Sequence, residues 1–249
     1  MQKNISTKDI RMKSTQFIYT LFAVAALSIS STTPVNGAND DKKAEKTKSV
    51  FAEKLKAGKK QTIVAYGTSL TQYGAWVKQL QDYLEKNYPG LATVTNSGGS
   101  GQQSEWGLKN VQEKVIKLKP DAVFIEFSVN DCVGRFKISV EKAKSNLAEI
   151  TKRIKDANPD CEIILQVMNP VIGKSAADRK DMKSYQQMYR DFAKEKGYIL
   201  IDHMPEWEKV LDKSEKDFLK FVPDGLHPGG PGYEKVVIPT IIRQLGLEK

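Results

Sequence analysis

Short apolar runs alternate with longer stretches whose apolar residues recur every three to four positions. Thr62 to Tyr66 reads as a first strand, and Trp76, Val77, Leu80, Tyr83 and Leu84 then share one helical face. Ala92 to Thr95 predicts a second strand, followed by the glycine-rich Gly98-Gly99-Ser100-Gly101. Leu108, Val111, Val115 and Leu118 form the next helical stripe, which Pro120 stops. The near-continuous apolar run Ala122 to Val129 predicts a central parallel strand buried on both faces. Val140, Ala143, Leu147, Ile150 and Ile154 make a helix ending near Asn158-Pro159, before a fourth strand over Glu162 to Met168. Asp178 to Lys196 reads as a helix capped by Gly197, and Tyr198 to Ile201 as a fifth strand. Tyr233 to Leu245 is a final helix, interrupted or bent at Pro239.

Such β-α alternation implies right-handed crossovers and a parallel sheet covered on both faces, hence one three-layer α/β/α domain. The chain has 249 residues, enough for one such domain with a sizeable core. No internal repeat or second domain is visible.

The first residues read as a secretory signal over 1–37. Lys3, Lys8, Arg11 and Lys13 form a basic start, Phe17 to Ile29 an apolar stretch, and small residues follow around Val35-Asn36-Gly37-Ala38. The apolar stretch is short for a membrane span, and no cysteine near the cleavage region offers a lipid anchor. Residues 38–58 read as a charged linker with a short helix around Val50 to Leu55, and 59–249 as the folded domain. The expected location is outside the cytoplasm, periplasmic or extracellular.

The formal net charge of +9 falls to about +6 once the segment carrying those four basic residues and Asp9 is removed. The lysines are spread along the chain among Glu and Asp, which argues against a nucleic-acid surface. Cys132 and Cys161 fall at opposite ends of strands, about 20 Å apart, whereas a disulfide needs Cα atoms within about 7 Å. No bridge is expected.

Ligands bind at the carboxyl edge of parallel sheets, and four distinctive groups follow strand ends there. Ser69 stands after the first strand, Gly101 after the second, Asn130-Asp131 after the third, and Pro223 to Pro228 before the last helix. Thr68 and Ser69 also have an ordinary reading as helix caps. The chemistry the four groups suit is acyl transfer. Ser69 would attack an ester carbonyl, His227 would take and return the proton, and Asp224 would orient the imidazole. The backbone N–H groups of Ser69 and Gly101, with the Asn130 amide, would receive the oxyanion. Gly101 suits that place because a Cβ would obstruct the approach of substrate.

The blocks Gly67-Thr68-Ser69-Leu70-Thr71, Asn96 to Gly101, Ser128-Val129-Asn130-Asp131 and Asp224-Gly225-Leu226-His227-Pro228 resemble those of the SGNH (GDSL-type) hydrolase superfamily, in order. The resemblance implies a flavodoxin-like five-stranded sheet, and Ser69, Gly101, Asn130 and His227 as the name-giving set with Asp224 orienting the histidine. Thr68 departs from the usual Asp and Ser128 from the usual Gly.

Other signatures fail. The serine block lacks the last glycine of the G-x-S-x-G elbow, and the Gly98 cluster lacks the third glycine of a dinucleotide fingerprint. His203 reads as a structural residue, Asp131 as support for the Asn130 loop, and no metal site or cofactor is expected. Gln102, Gln103, Ser104 and Glu105, with Gly173 to Lys183, make polar loops, and Trp106 offers either a sugar platform or core packing. Together these features resemble carbohydrate O-acetylesterases acting on an acylated carbohydrate or small ester. The alternatives are a lysophospholipase or thioesterase-like acyl hydrolase, and a non-catalytic carbohydrate-binding protein.

Overall fold

The computed structural model describes residues 49–248. In chain order the elements to β3 are α1 (Val50–Lys56), β1 (Gln61–Gly67), α2 (Ser69–Gln72), α3 (Trp76–Asn87), β2 (Ala92–Asn96), α4 (Ser104–Lys114) and β3 (Ala122–Glu126). There follow α5 (Ser128–Asp131), α6 (Val140–Ala157), β4 (Glu162–Val167), α7 (Lys174–Ala177), α8 (Met182–Lys196), β5 (Ile199–Asp202), α9 (Met204–Lys213) and α10 (Glu215–Phe221). The chain ends in α11 (Gly230–Gly232), a π-helical turn over Tyr233–Val237, and α12 (Ile238–Leu245).

The five strands are all parallel and lie in the order β2-β1-β3-β4-β5. This is the flavodoxin-like order, in which chain direction across the sheet reverses between β1 and β3. Alternation along each strand builds two cores. Ile63, Ala65, Phe124, Ile164 and Ile201 face α1, α3, α9 and α12. Val64, Tyr66, Val123, Ile125, Leu165 and Val167 face α4, α6 and α8. Three layers result.

The α1 helix is part of this packing. Phe51, Ala52 and Leu55 are buried, and Ser49 Oγ donates to Glu162 Oε2 at 2.7 Å while the Val50 N–H donates to Glu162 Oε1 at 2.8 Å. The leader expected over residues 1–37 lies outside the described residues, as does most of the expected linker. Among the described residues no helix is long and apolar enough to cross a membrane.

Several elements differ from expectation. The run to Val129 is a strand only as far as Glu126, because Phe127 (φ −134°, ψ −11°) turns the chain into α5. A buried apolar run does not distinguish strand from buried turn. Leu118 is exposed, in a 3₁₀ turn over Ile116–Leu118 that follows α4. The helix expected from Asp178 begins at Met182, and the residues before it form α7 and a loop containing Arg179. Around Pro239 the helix widens to a π turn, since proline supplies no N–H to the preceding turn.

Helices α9 and α10 were not expected. Their signals are Pro205 in a first turn, the Trp207, Val210 and Leu211 spacing, and the Ser214 cap that accepts the Asp217 N–H. Cys132 and Cys161 are both free and buried.

Candidate active site

Strand β1 ends at Gly67, where the chain passes a carboxylate. A Cβ on Gly67 would sit 2.2 Å from Glu126 Oε1, so only glycine fits. Glu126 is fully buried at the end of β3. Its Oε1 accepts the Thr68 N–H at 2.6 Å, and its carboxylate also accepts the hydroxyls of Thr68 and Thr71, at 3.0 and 2.7 Å from Oε1. Burial pushes the Glu126 carboxyl up to about 7, against the lowering effect of those hydrogen bonds.

Thr68 is the cap of α2, its Oγ1 accepting the Leu70 N–H at 3.2 Å. The capping role therefore falls to Thr68 and frees Ser69. Ser69 Oγ lies 2.9 Å from His227 Nε2, and His227 Nδ1 lies 2.7 Å from Asp224 Oδ2. Asp224 Oδ1 accepts two backbone N–H groups, from Leu226 at 2.9 Å and His227 at 2.7 Å. This closed turn leaves Oδ2 for the imidazole. Burial raises the Asp224 carboxyl, but the bonds from His227 and Leu226 outweigh it and hold it below the usual carboxylate range. The loop is tied to the strand β4 side by Asn169 Nδ2 to Leu226 O and Ile172 N to Gly225 O, both 2.9 Å.

Backbone accounting isolates two donors. In the serine turn the N–H groups of Thr68, Leu70, Thr71 and Gln72 all have partners. In the glycine loop Gly99 N donates to Gly67 O, Ser100 N to Gln72 Oε1 and Gln102 N to Gly99 O. The N–H groups of Ser69 and Gly101 are left without a partner among the described residues. At Gly101 the backbone conformation by itself also calls for glycine. A Cβ there would meet no protein atom within 4 Å, but φ is +68°, a left-handed backbone that favours glycine.

Asn130 is buried, with Nδ2 donating to Gln102 O at 2.8 Å. Asp131 Oδ1 accepts the Ser104 N–H at 2.7 Å, joining α5 to the start of α4, and burial pushes its carboxyl up to about 7. The four blocks thus meet around the β1–β3 reversal, where such sheets bind ligands.

The residue pattern 63–235 matches the GDSL-like Lipase/Acylhydrolase family. The chain belongs to that family. It is a hydrolase of carboxylic esters. An acetylxylan esterase of Geobacillus stearothermophilus is 25% identical over 192 residues, 74% of this chain and 85% of that one. A structure of the acetylxylan esterase Axe2 from the same organism superposes with a TM-score of 0.65 at 22% identity, over 77% of this chain and 96% of that one. A protein of Parabacteroides merdae, assigned as a GDSL-like lipase, gives a TM-score of 0.69 at 19% identity, over 76% of this chain and 97% of that one.

In this acylhydrolase His203 is structural. It is buried with Nε2 3.1 Å from Gln166 Oε1, and burial lowers its pKa to about 3, so it stays neutral. Trp106 packs its ring at 5.8 Å from Tyr66 and 6.4 Å from Phe127, beneath the glycine loop. The polar loop after Gly101 is partly committed to the fold. Gln103 Oε1 caps α4 through the Trp106 N–H, and Ser104 is buried with its hydroxyl accepting from Asn146. Glu126 escaped the sequence reading because it sits inside an apolar strand. Its only signal there is a carboxylate at an otherwise hydrophobic position. A groove of about 530 Å³ lined by Lys209, Phe221, Lys235 and Arg243 contains none of Ser69, Gly101, Asn130 or His227.

Proposed function

We propose that this acylhydrolase is an exported serine esterase that removes short acyl groups, acetyl above all, from carbohydrate. The observation that carries the reading is the continuous chain Ser69 Oγ, His227 Nε2, His227 Nδ1, Asp224 Oδ2, with links of 2.9 and 2.7 Å. Asp224, low in pKa and therefore ionised, accepts a hydrogen bond from the Nδ1–H of His227, which keeps the proton on Nδ1 and leaves Nε2 unprotonated toward Ser69. Ser69 Oγ forms a bond to the ester carbonyl carbon as its proton passes to Nε2. The carbonyl oxygen gains the negative charge and is received by the N–H groups of Ser69, Gly101 and Asn130 Nδ2. Collapse breaks the bond to the alcohol, which leaves with the proton from Nε2. Water then repeats the cycle on the acyl-enzyme and releases the acid.

The choice of carbohydrate is supported by the acetylxylan esterase relative and by the openness of the site. The His227 and Asp224 side chains are 42% and 56% exposed. An ester projecting from a bulky polymer reaches such an edge without entering a tunnel. Export is supported by the basic and apolar start of the sequence. It is also supported by the two buried thiols, pushed up to about 12 by burial and so slow to react in an oxidising compartment.

The test is hydrolysis of p-nitrophenyl acetate, butyrate and octanoate by the parent and Ser69→Ala, followed by acetate release from acetylated xylooligosaccharide. Serine-dependent turnover that falls with chain length, with acetate release, is the expected result. A preference for octanoate would move the reading to a lysophospholipase-like activity, and turnover that survives Ser69→Ala would overturn the triad. Mass spectrometry of the exported protein should find an N-terminus near Gly37. A product that keeps residues 1–37 would overturn the export reading.

A further inference from the structure

Asn130 is held at both ends of its amide by different parts of the chain. Nδ2 donates to Gln102 O at 2.8 Å, and Oδ1 accepts from Arg179 Nη2 at 3.2 Å. Arg179 lies between α7 and α8, outside all four sequence blocks. Its Nε donates to Val129 O at 2.8 Å and its Nη1 to Ser175 O at 2.8 Å. Nε and Nη2 form one edge of the guanidinium, so that edge grips two acceptors of consecutive residues, Val129 and Asn130.

A primary amide has an acceptor end and a donor end, and its neighbours decide which way it faces. Reversing Asn130 would set its NH₂ against the guanidinium donors and its oxygen against the Gln102 carbonyl. Both contacts are repulsive. We propose that Arg179 is a positioning residue for ester hydrolysis: it locks the Asn130 amide so that Nδ2 faces the glycine loop and keeps one N–H for the oxyanion. The proposal rests on the reading of Asn130 as an oxyanion donor. Arg179 acts through Asn130 and needs no contact with substrate.

Lysine does not replace this edge, because a point ammonium lacks the planar fork that serves two acceptors together. A lost oxyanion donor costs about 10²–10³-fold in rate, and a misaligned one a part of that. The experiment is a kinetic cycle on p-nitrophenyl acetate with the parent, Arg179→Lys, Asn130→Ala and the double variant. Arg179→Lys is expected to lower kcat about tenfold or more with KM within about twofold. In the Asn130→Ala background the same change should cost less than about twofold, since the residue it positions is gone.

A slow Asn130→Ala with Arg179→Lys at the parental rate would overturn the proposal. So would an Arg179→Lys loss kept in full in the Asn130→Ala background. An Asn130→Ala enzyme at the parental rate would remove the oxyanion reading of Asn130 itself, and this proposal with it. Should Arg179→Lys fail to fold, Arg179→Gln in the same cycle reads the same outcomes.

Discussion

The Glu126 carboxylate accepts the backbone N–H of Thr68 at 2.6 Å, so a buried acid from β3 holds the residue next to Ser69. The same oxygen takes the hydroxyls of Thr68 and Thr71. This bears on the one unusual residue of the serine block, threonine where the family has aspartate. Here the carboxylate beneath the turn comes from the neighbouring strand. An aspartate at 68 would add a second carboxylate within about 3–4 Å of the first, a like-charge pair that resists double ionisation.

Glu126→Ala should therefore leave one N–H and two hydroxyls buried without an acceptor and lower stability by about 2–4 kcal/mol. Thr68→Asp should be strongly destabilising alone and much less so together with Glu126→Gln. Urea unfolding midpoints of the four proteins check this. Equal losses for Thr68→Asp in both backgrounds would refute the coupling.

The same acid makes stability depend on pH. In the folded chain Glu126 and Asp131 hold their protons to about 7, above their ordinary values of 4.5 and 3.8. Below those ordinary values folded and unfolded chains are both protonated, and above about 7 neither is. Between them only the folded chain holds the protons, so this contribution to stability is lost as pH rises through that window. His203, lowered from 6.5 to about 3, acts oppositely: stability is lost as pH falls below 6.5. Glu126→Gln removes one acidic contribution and should lose less stability than the parent between pH 5 and pH 8. Parallel curves would contradict it.

Asp224→Asn isolates the tautomer argument. The new carbonyl oxygen keeps the Leu226 and His227 N–H bonds now made by Oδ1, so the loop should fold unchanged. The amide NH₂ then faces Nδ1 and favours the proton on Nε2, where the imidazole cannot accept one from Ser69. The expected loss in kcat is about 10⁴-fold with unchanged thermal stability. Retention of most of the rate would sink the role given to Asp224.

Gly101→Ala separates backbone strain from substrate contact. The added Cβ meets no protein atom, so stability should fall only by the left-handed strain, about 1–2 kcal/mol. If substrate approaches Gly101 closely, as the oxyanion role of its N–H requires, the added Cβ should lower kcat/KM by well over tenfold. A stability loss with unchanged kcat/KM would show that substrate does not come close to the backbone at this position.

The two thiols offer a check on packing. Burial pushes Cys132 and Cys161 up to about 12, so neither should react with a thiol reagent in the native protein. Both should react in urea. One fast-reacting thiol in the native state would contradict the packing around it.

Local chemistry determined much of this protein. Periodicity marked all five strands: β1, β3 and β4 are buried on both faces and so must be apolar, while the edge strands β2 and β5 are only partly buried and show shorter apolar runs. Glycine and proline marked turns by backbone geometry alone. The serine and asparagine blocks were legible because each follows a strand end, which topology sends to one edge, and the histidine block because its loop leads into the last helix from that same edge. Tertiary structure decided what depends on neighbours distant in sequence. Periodicity does not say that β3 ends at Glu126, that this acid carries the Thr68 N–H, or that Arg179 reaches Asn130 across 49 positions. Nor does it divide the Thr68–Ser69 pair, one to cap and one to face His227. Hydrogen bonds and buried charge are pairwise, and the pairs exist only once the strands have come together.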